Sequence, residues 1–102
     1  LFVSGQLPVD SERRLVAPGD LAGQTRQVLE NLTIVLKEAG ASWEHVAKLT
    51  IYLAAGVDTG SAYAATRSVW GDHRTTVTVL TVTPAKPGAL VEIEAVAAIP
   101  EH

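Results

Sequence analysis

Arg74 and Glu92 are the two side chains of this sequence best suited to chemistry. Arg74 follows the helix-breaking pair Gly71-Asp72 and opens a strand rich in Thr and Val. An arginine at a strand edge can hold a carboxylate through two parallel hydrogen bonds. Glu92 lies on the last strand, read as the partner of the Arg74 strand. A carboxylate beside a bound electrophile can orient or deprotonate water. Spacing alone favours a plainer reading, in which the two are surface charges or a structural ion pair. Ser4-Gly5-Gln6 offers a hydroxyl and an approachable backbone amide, although by itself the pattern reads as a strand bulge.

Other chemistry finds less support. His45, His73 and His102 show no metal-ligand spacing, so no metal is expected. His73 stands beside Arg74, where a loop histidine is the simpler reading. A Ser-His-Asp arrangement has only the residue types behind it. No phosphate loop or dinucleotide fingerprint is present, and no cofactor is expected. Asn31-Leu32-Thr33 matches a glycosylation sequon, but it falls inside a helix in a chain without a secretory signal and is read as chance.

The elements that must position these residues follow from periodicity. Residues 1–9 read as a strand interrupted at Ser4-Gly5-Gln6. Residues 8–20 are turn-rich, ending in Pro18-Gly19-Asp20. Leu21, Thr25, Val28, Leu32, Val35 and Ala39 recur at helical spacing, with Leu29 and Leu36 widening the stripe. Asp20 caps this helix and Gly40 ends it. Gln24, Arg26, Gln27, Glu30 and Lys37 fall mostly on the outer faces. Residues 42–45 form a short capped turn. Residues 47–53 are a strand with Leu49, Ile51 and Leu53 on one face and Lys48, Thr50 and Tyr52 on the other. Asp58-Thr59 starts a second helix running to about Trp70. Residues 74–83 form a strand whose apolar phase shifts between Val79 and Leu80, the mark of a bulge. Residues 90–99 form the last strand, with Val91, Ile93, Ala95 and Ala97 opposite Glu92 and Glu94.

The second helix reads as a crossover and the last two strands as a hairpin. The expected fold is α+β, a mixed sheet with both helices on one face. The opposite sheet face then needs a cover, which another subunit can supply. The 102 residues fit a single domain, 1–102, with one core. A domain this small buries a modest share of its surface, and oligomerisation adds burial. The net charge is −3, and Arg13-Arg14 is the only basic doublet, so nucleic acid is a poor partner. There is no cysteine, hence no disulfide, thiolate site or cysteine nucleophile, which suits a cytoplasmic setting. No apolar run approaches the roughly 20 residues of a membrane span. The opening Leu1-Phe2-Val3 reads as mid-strand, which suggests that an N-terminal segment precedes it.

Five stretches in register carry a resemblance. Phe2-Val3-Ser4-Gly5-Gln6-Leu7-Pro8-Val9 resembles the opening strand of the RidA/YjgF family, the reactive-intermediate (imine) deaminases also labelled endoribonuclease L-PSP. Residues 24–32 with 36–41 are similar to its first helix, and residues 46–53 to the strand after it. Arg74-Thr75-Thr76-Val77 and Val91-Glu92-Ile93-Glu94-Ala95-Val96-Ala97 are similar to its two closing strands. The resemblance implies a chorismate-mutase-like fold and a homotrimer with a cleft at each subunit interface. It also implies an N-terminal strand and an aromatic cleft residue before the Ser-Gly-Gln strand.

The implied reaction is hydrolysis of 2-imino acids, or their enamine tautomers, to 2-keto acids and ammonia, with 2-iminobutanoate and 2-iminopropanoate as the type substrates. Arg74 matches the arginine that grips the substrate carboxylate, and Glu92 the glutamate that positions water. Ser4 and Gly5 match the strand lining the cleft. Thr76 stands where many members carry cysteine, and its backbone amide can meet the carboxylate. Tyr63 falls about where asparagine is common. Asp72-His73 replaces the usual Pro-Ala before the arginine, after a shortened connection, so a reshaped pocket is expected. Two other readings remain: a non-catalytic trimer that binds keto acids or related metabolites, and an endoribonuclease, against which the acidic balance argues.

Overall fold

A computed structural model describes residues 1–70, 76–84 and 86–99. Arg74, His73 and Asp72 therefore lie outside the described residues, as do Thr75 and His102.

Helix α1, Leu21–Glu38, forms where the apolar stripe predicts it. Asp20 accepts a hydrogen bond from the Gly23 amide at 3.1 Å, satisfying one of the free donors of the first turn. The helix ends in a Schellman arrangement. The Gly40 amide donates to the Lys37 carbonyl and the Ala41 amide to the Leu36 carbonyl. Gly40 makes this possible with φ +78°, a conformation costly to a residue with a Cβ. Val28, Leu29, Leu32 and Leu36 are buried against the sheet.

Four strands make the sheet: β1 (Phe2–Gln6), β2 (Val46–Ala54), β3 (Thr76–Val82) and β4 (Val91–Ala97). A single 3₁₀ turn at Trp43–His45 leads into β2, and Ser42 caps it as the sequence predicts. The Ser42 amide donates to His45 Nδ1 at 3.0 Å. Helix α2, Thr59–Trp70, connects β2 to β3 and packs beside α1 on the same sheet face, burying Ala62.

The strand order is β1-β4-β2-β3, with β2 and β3 parallel and the other pairs antiparallel. The sheet is mixed, as expected, but β3 and β4 are not a hairpin. Burial explains the difference. Val91, Ile93, Ala95 and Ala97 are all buried, and such a side needs neighbours on both edges. β4 therefore takes an inner position between β1 and β2. The Thr-rich β3, exposed along most of its length, takes the edge.

Two further expectations change. The β2–β3 register runs unbroken from Lys48↔Thr76 to Ala54↔Val82, so there is no bulge at Val79-Leu80. Leu80 instead points to the open sheet face beside Tyr52, 46% exposed. Gln24, assigned to the outer helix faces, is fully buried. Its Nε2 donates to the Gly88 carbonyl at 3.1 Å, and its Oε1 accepts from the Leu90 amide at 2.7 Å. A buried amide is tolerated because both ends find partners. The same economy explains Asn31, whose Nδ2 donates to the Leu7 and Val9 carbonyls, both at 3.0 Å. The sequon asparagine is a structural pin for the loop after β1.

The face of the sheet away from the helices carries Phe2, Ser4, Lys48, Tyr52, Leu80, Glu92, Glu94 and Val96. Phe2 is 86% exposed there.

Candidate functional site

The open sheet face gathers part of the expected site around the β1–β4 pair. Phe2 pairs with Val96 and Val3 with Ala95, but Gln6 pairs with Ile93. Ser4 and Gly5 thus oppose Glu94 alone, which is a β-bulge. Gln6 Nε2 donates to the Ser4 carbonyl at 3.1 Å and braces the bend. At the bulge, Gly5 leaves space that a side chain would fill. A Cβ placed on it would stand 2.5 Å from Glu92 Oε1 and 2.8 Å from Glu92 Cδ. The Glu92 carboxyl therefore lies directly over the Gly5 backbone. The bulge expected at Ser4-Gly5-Gln6 is present, and the Glu92 side chain packs against its glycine.

Glu92 is half-exposed and receives no hydrogen bond from another described residue. Its free oxygens are available to water or ligand. Glu94, two residues on and on the same face, is engaged: Tyr52 Oη donates to its Oε1 at 2.7 Å. That hydrogen bond, then desolvation and the charges of Glu94 and Glu92, push the Tyr52 phenol above its ordinary pKa. The phenol stays a donor at neutral pH. Beside this group lies a hollow of about 390 Å³ bordered by Phe2, Ser4, Lys48, Thr50, Glu94 and Val96. Its size is within the range of small-molecule sites.

The structure does not bring Thr76 or Tyr63 to Glu92 within one chain. Thr76 is the exposed first residue of β3 and pairs with Lys48. Glu92 pairs with Tyr52, four residues further along β2. At strand spacings, Thr76 and Glu92 are separated by about 13 Å along the strands and about 10 Å across two of them. Tyr63 lies in the helical layer, half-exposed on α2, where its carbonyl accepts from Thr66 Oγ1. Among the described residues, no group of three His, Asp or Glu side chains is placed to hold a metal ion. No helix among them is long and apolar enough to cross a membrane.

Sequence reasoning missed Tyr52 and Glu94. The available signal was a tyrosine on the polar face of β2, between Thr50 and the carboxylates of β4.

The chain matches the family profile described as Endoribonuclease L-PSP over residues 1–99. It is 34% identical over 97 residues to a RutC family protein of Pyrococcus abyssi, covering 95% of this chain and 76% of the relative. It is 31% identical over 97 residues to the 2-iminobutanoate/2-iminopropanoate deaminase of Rattus norvegicus, covering 95% and 71%. Among solved structures, a putative endoribonuclease of Thermotoga maritima superposes with a TM-score of 0.88 at 32% identity, covering 99% of this chain and 79% of that one.

Proposed function

Because the chain belongs to the endoribonuclease L-PSP family, the RidA/YjgF group, we propose that it hydrolyses 2-imino acids and their enamine tautomers to 2-keto acids and ammonia. The observation that carries this reading is the Glu92 carboxylate seated over Gly5 at the β1 bulge, without a hydrogen-bonded partner among the described residues. The relative named as an imine deaminase supports the substrate class.

A protonated imine is already electrophilic, so the protein has mainly to position the reactants. Arg74 holds the substrate carboxylate, helped by the Thr76 backbone amide. Ser4 and Gly5 line the cleft beside the imine. Glu92 takes a proton from water as the water oxygen bonds to C2, and returns it to the nitrogen of the tetrahedral adduct. As the C–N bond breaks, the hydroxyl of the adduct gives its proton to Glu92 and becomes the keto oxygen, and ammonia takes that proton from Glu92 and leaves as ammonium. No cofactor enters this scheme.

The separation of Thr76 from Glu92 gives the assembly its logic. β1 and β3 are the two edges of the sheet. A closed ring of three copies that sets the β3 edge of one against the β1 edge of the next brings Arg74 to the Glu92 of its neighbour. The same ring covers Phe2 and Leu80, and Tyr63 borders a cleft only through such packing. A cytoplasmic location fits this role.

The test supplies freshly generated 2-iminobutanoate or 2-iminopropanoate and follows keto-acid formation against spontaneous hydrolysis, with sedimentation on the same sample. Acceleration by a trimer is the expected result. A trimer that binds keto acids without acceleration selects a binding role instead. A monomer at micromolar concentration removes the composite cleft.

Gly5→Ala is a direct probe of the carrying observation. No left-handed φ is required at Gly5, and the clash is with a flexible carboxylate, so the fold should hold. The displaced Glu92 should lower kcat about 10- to 100-fold, as misplacement of a reacting group by an ångström does. Unchanged kcat in a folded Gly5→Ala protein would remove Glu92 from its assigned place.

A further inference from the structure

The two carboxylates of β4 are chemically alike, share a face and stand two residues apart, yet they differ in their partners. Tyr52 is the register partner of Glu92, while Thr50 is the partner of Glu94. The Tyr52 hydroxyl nevertheless reaches diagonally to Glu94, at 2.7 Å. Diagonal contacts of this kind lie within reach of an aromatic side chain. The phenol therefore occupies the β2 side of the pair, and the Glu92 carboxyl lies on the β1 side, over Gly5. We propose that Tyr52 is a positioning residue for imine hydrolysis, anchoring Glu94 so that Glu92 alone presents a free carboxylate at the Gly5 bend. This role rests on the deaminase reading above.

The physical reason is competition. An untethered Glu94 is a second acceptor for the same water and for the positive imine nitrogen, and its charge lies within reach of Glu92. A neutral phenol donating to Glu94 satisfies that carboxylate where it stands. A tyrosine phenol keeps its proton through the neutral range, and the hydrogen bond to Glu94 moves its pKa further up. The charged groups facing Tyr52 are Glu92 and Glu94 on β4, with Lys48 further along its own strand; its β3 neighbour is the uncharged Leu80.

Tyr52→Phe keeps the ring and removes the hydroxyl. It should lower kcat about tenfold with KM within about twofold, the pattern of a misdirected reacting group. Adding Glu94→Gln to Tyr52→Phe should restore most of kcat, since the competing charge is gone. A purely structural tyrosine predicts no such rescue. Phenolate absorbance gives an independent reading. The raised ionisation of the Tyr52 phenol should move down in Glu94→Gln. Wild-type kcat in Tyr52→Phe, a double variant no faster than the single, or a Tyr52 ionisation unmoved in Glu94→Gln would each overturn the inference while leaving a deaminase in place. A wild-type protein that does not hydrolyse the imine overturns the deaminase reading and this role with it.

Discussion

Glu92→Gln should slow imine hydrolysis by about 10²- to 10⁴-fold in kcat, the range for loss of a positioned general base, while the protein folds as before. Glutamine has nearly the same shape, and Glu92 is half-exposed without a hydrogen-bonded partner among the described residues, so the exchange strands no buried group. What it removes is the ability to accept a proton from water. The amide can still sit over Gly5, so ligand binding should survive, and the loss should fall on kcat with little change in KM. Titrating a keto acid into the variant checks that the cleft is intact. Glu94→Gln is the comparison that gives the result meaning. Its carboxylate is occupied by Tyr52, so its loss should be far smaller. Equal losses in the two variants would mean that β4 contributes general negative charge and no assigned base.

The fold was legible where the information is local. The α1 stripe, the Asp20 cap and the Gly40 stop lie within one short stretch, and each has a single physical reading. The alternation of β4 was equally plain. The order of the strands was not, because Pro84-Ala85-Lys86-Pro87-Gly88 looks like a hairpin loop between neighbours in sequence. The decisive clue was comparative. One side of β4 is apolar at all four positions, whereas β3 is mostly Thr and Val with little to bury. The strand with the greater need for burial takes the inner place. Leu80 was misread for a related reason. An apolar residue out of phase was taken as a break in the strand, when it belongs to the open face. Gln24 was invisible for another: its partners, Gly88 and Leu90, are more than sixty residues away.

The candidate site divides in the same way. Ser4-Gly5-Gln6 announced a bend, since glycine inside a strand has few other uses. That the bend lies under Glu92 depends on β1 pairing with β4, a non-local fact which the residue pattern alone did not supply. The resemblance to a family assigns Glu92 a role in a site, and the register shows that its carboxyl lies over the Gly5 bulge. The Tyr52–Glu94 pair was missed because a hydrogen bond between diagonal positions depends on strand register as well as residue type.

Arg74→Ala should raise KM for a 2-imino acid about 10- to 100-fold, matching the 1.5–3 kcal/mol typical of a hydrogen bond to a charged group. Arg74→Lys should recover only part, because an ammonium lacks the paired donors that fit a carboxylate. A substrate whose carboxylate is replaced by a neutral amide should be insensitive to either change. The sheet geometry adds a sharper expectation. Thr76, two residues after Arg74, stands at the far edge of the sheet from Gly5 and Glu92. In the proposed ring, Arg74 and Glu92 act on one substrate from different chains. Arg74→Ala and Glu92→Gln proteins should each be nearly inactive at low substrate, yet unfolding and refolding them together should regain activity. Random mixing in a ring leaves about a quarter of the clefts with both native groups. Mixed trimers that stay inactive would mean that Arg74 and Glu92 do not act across one interface, and the proposed ring would fail.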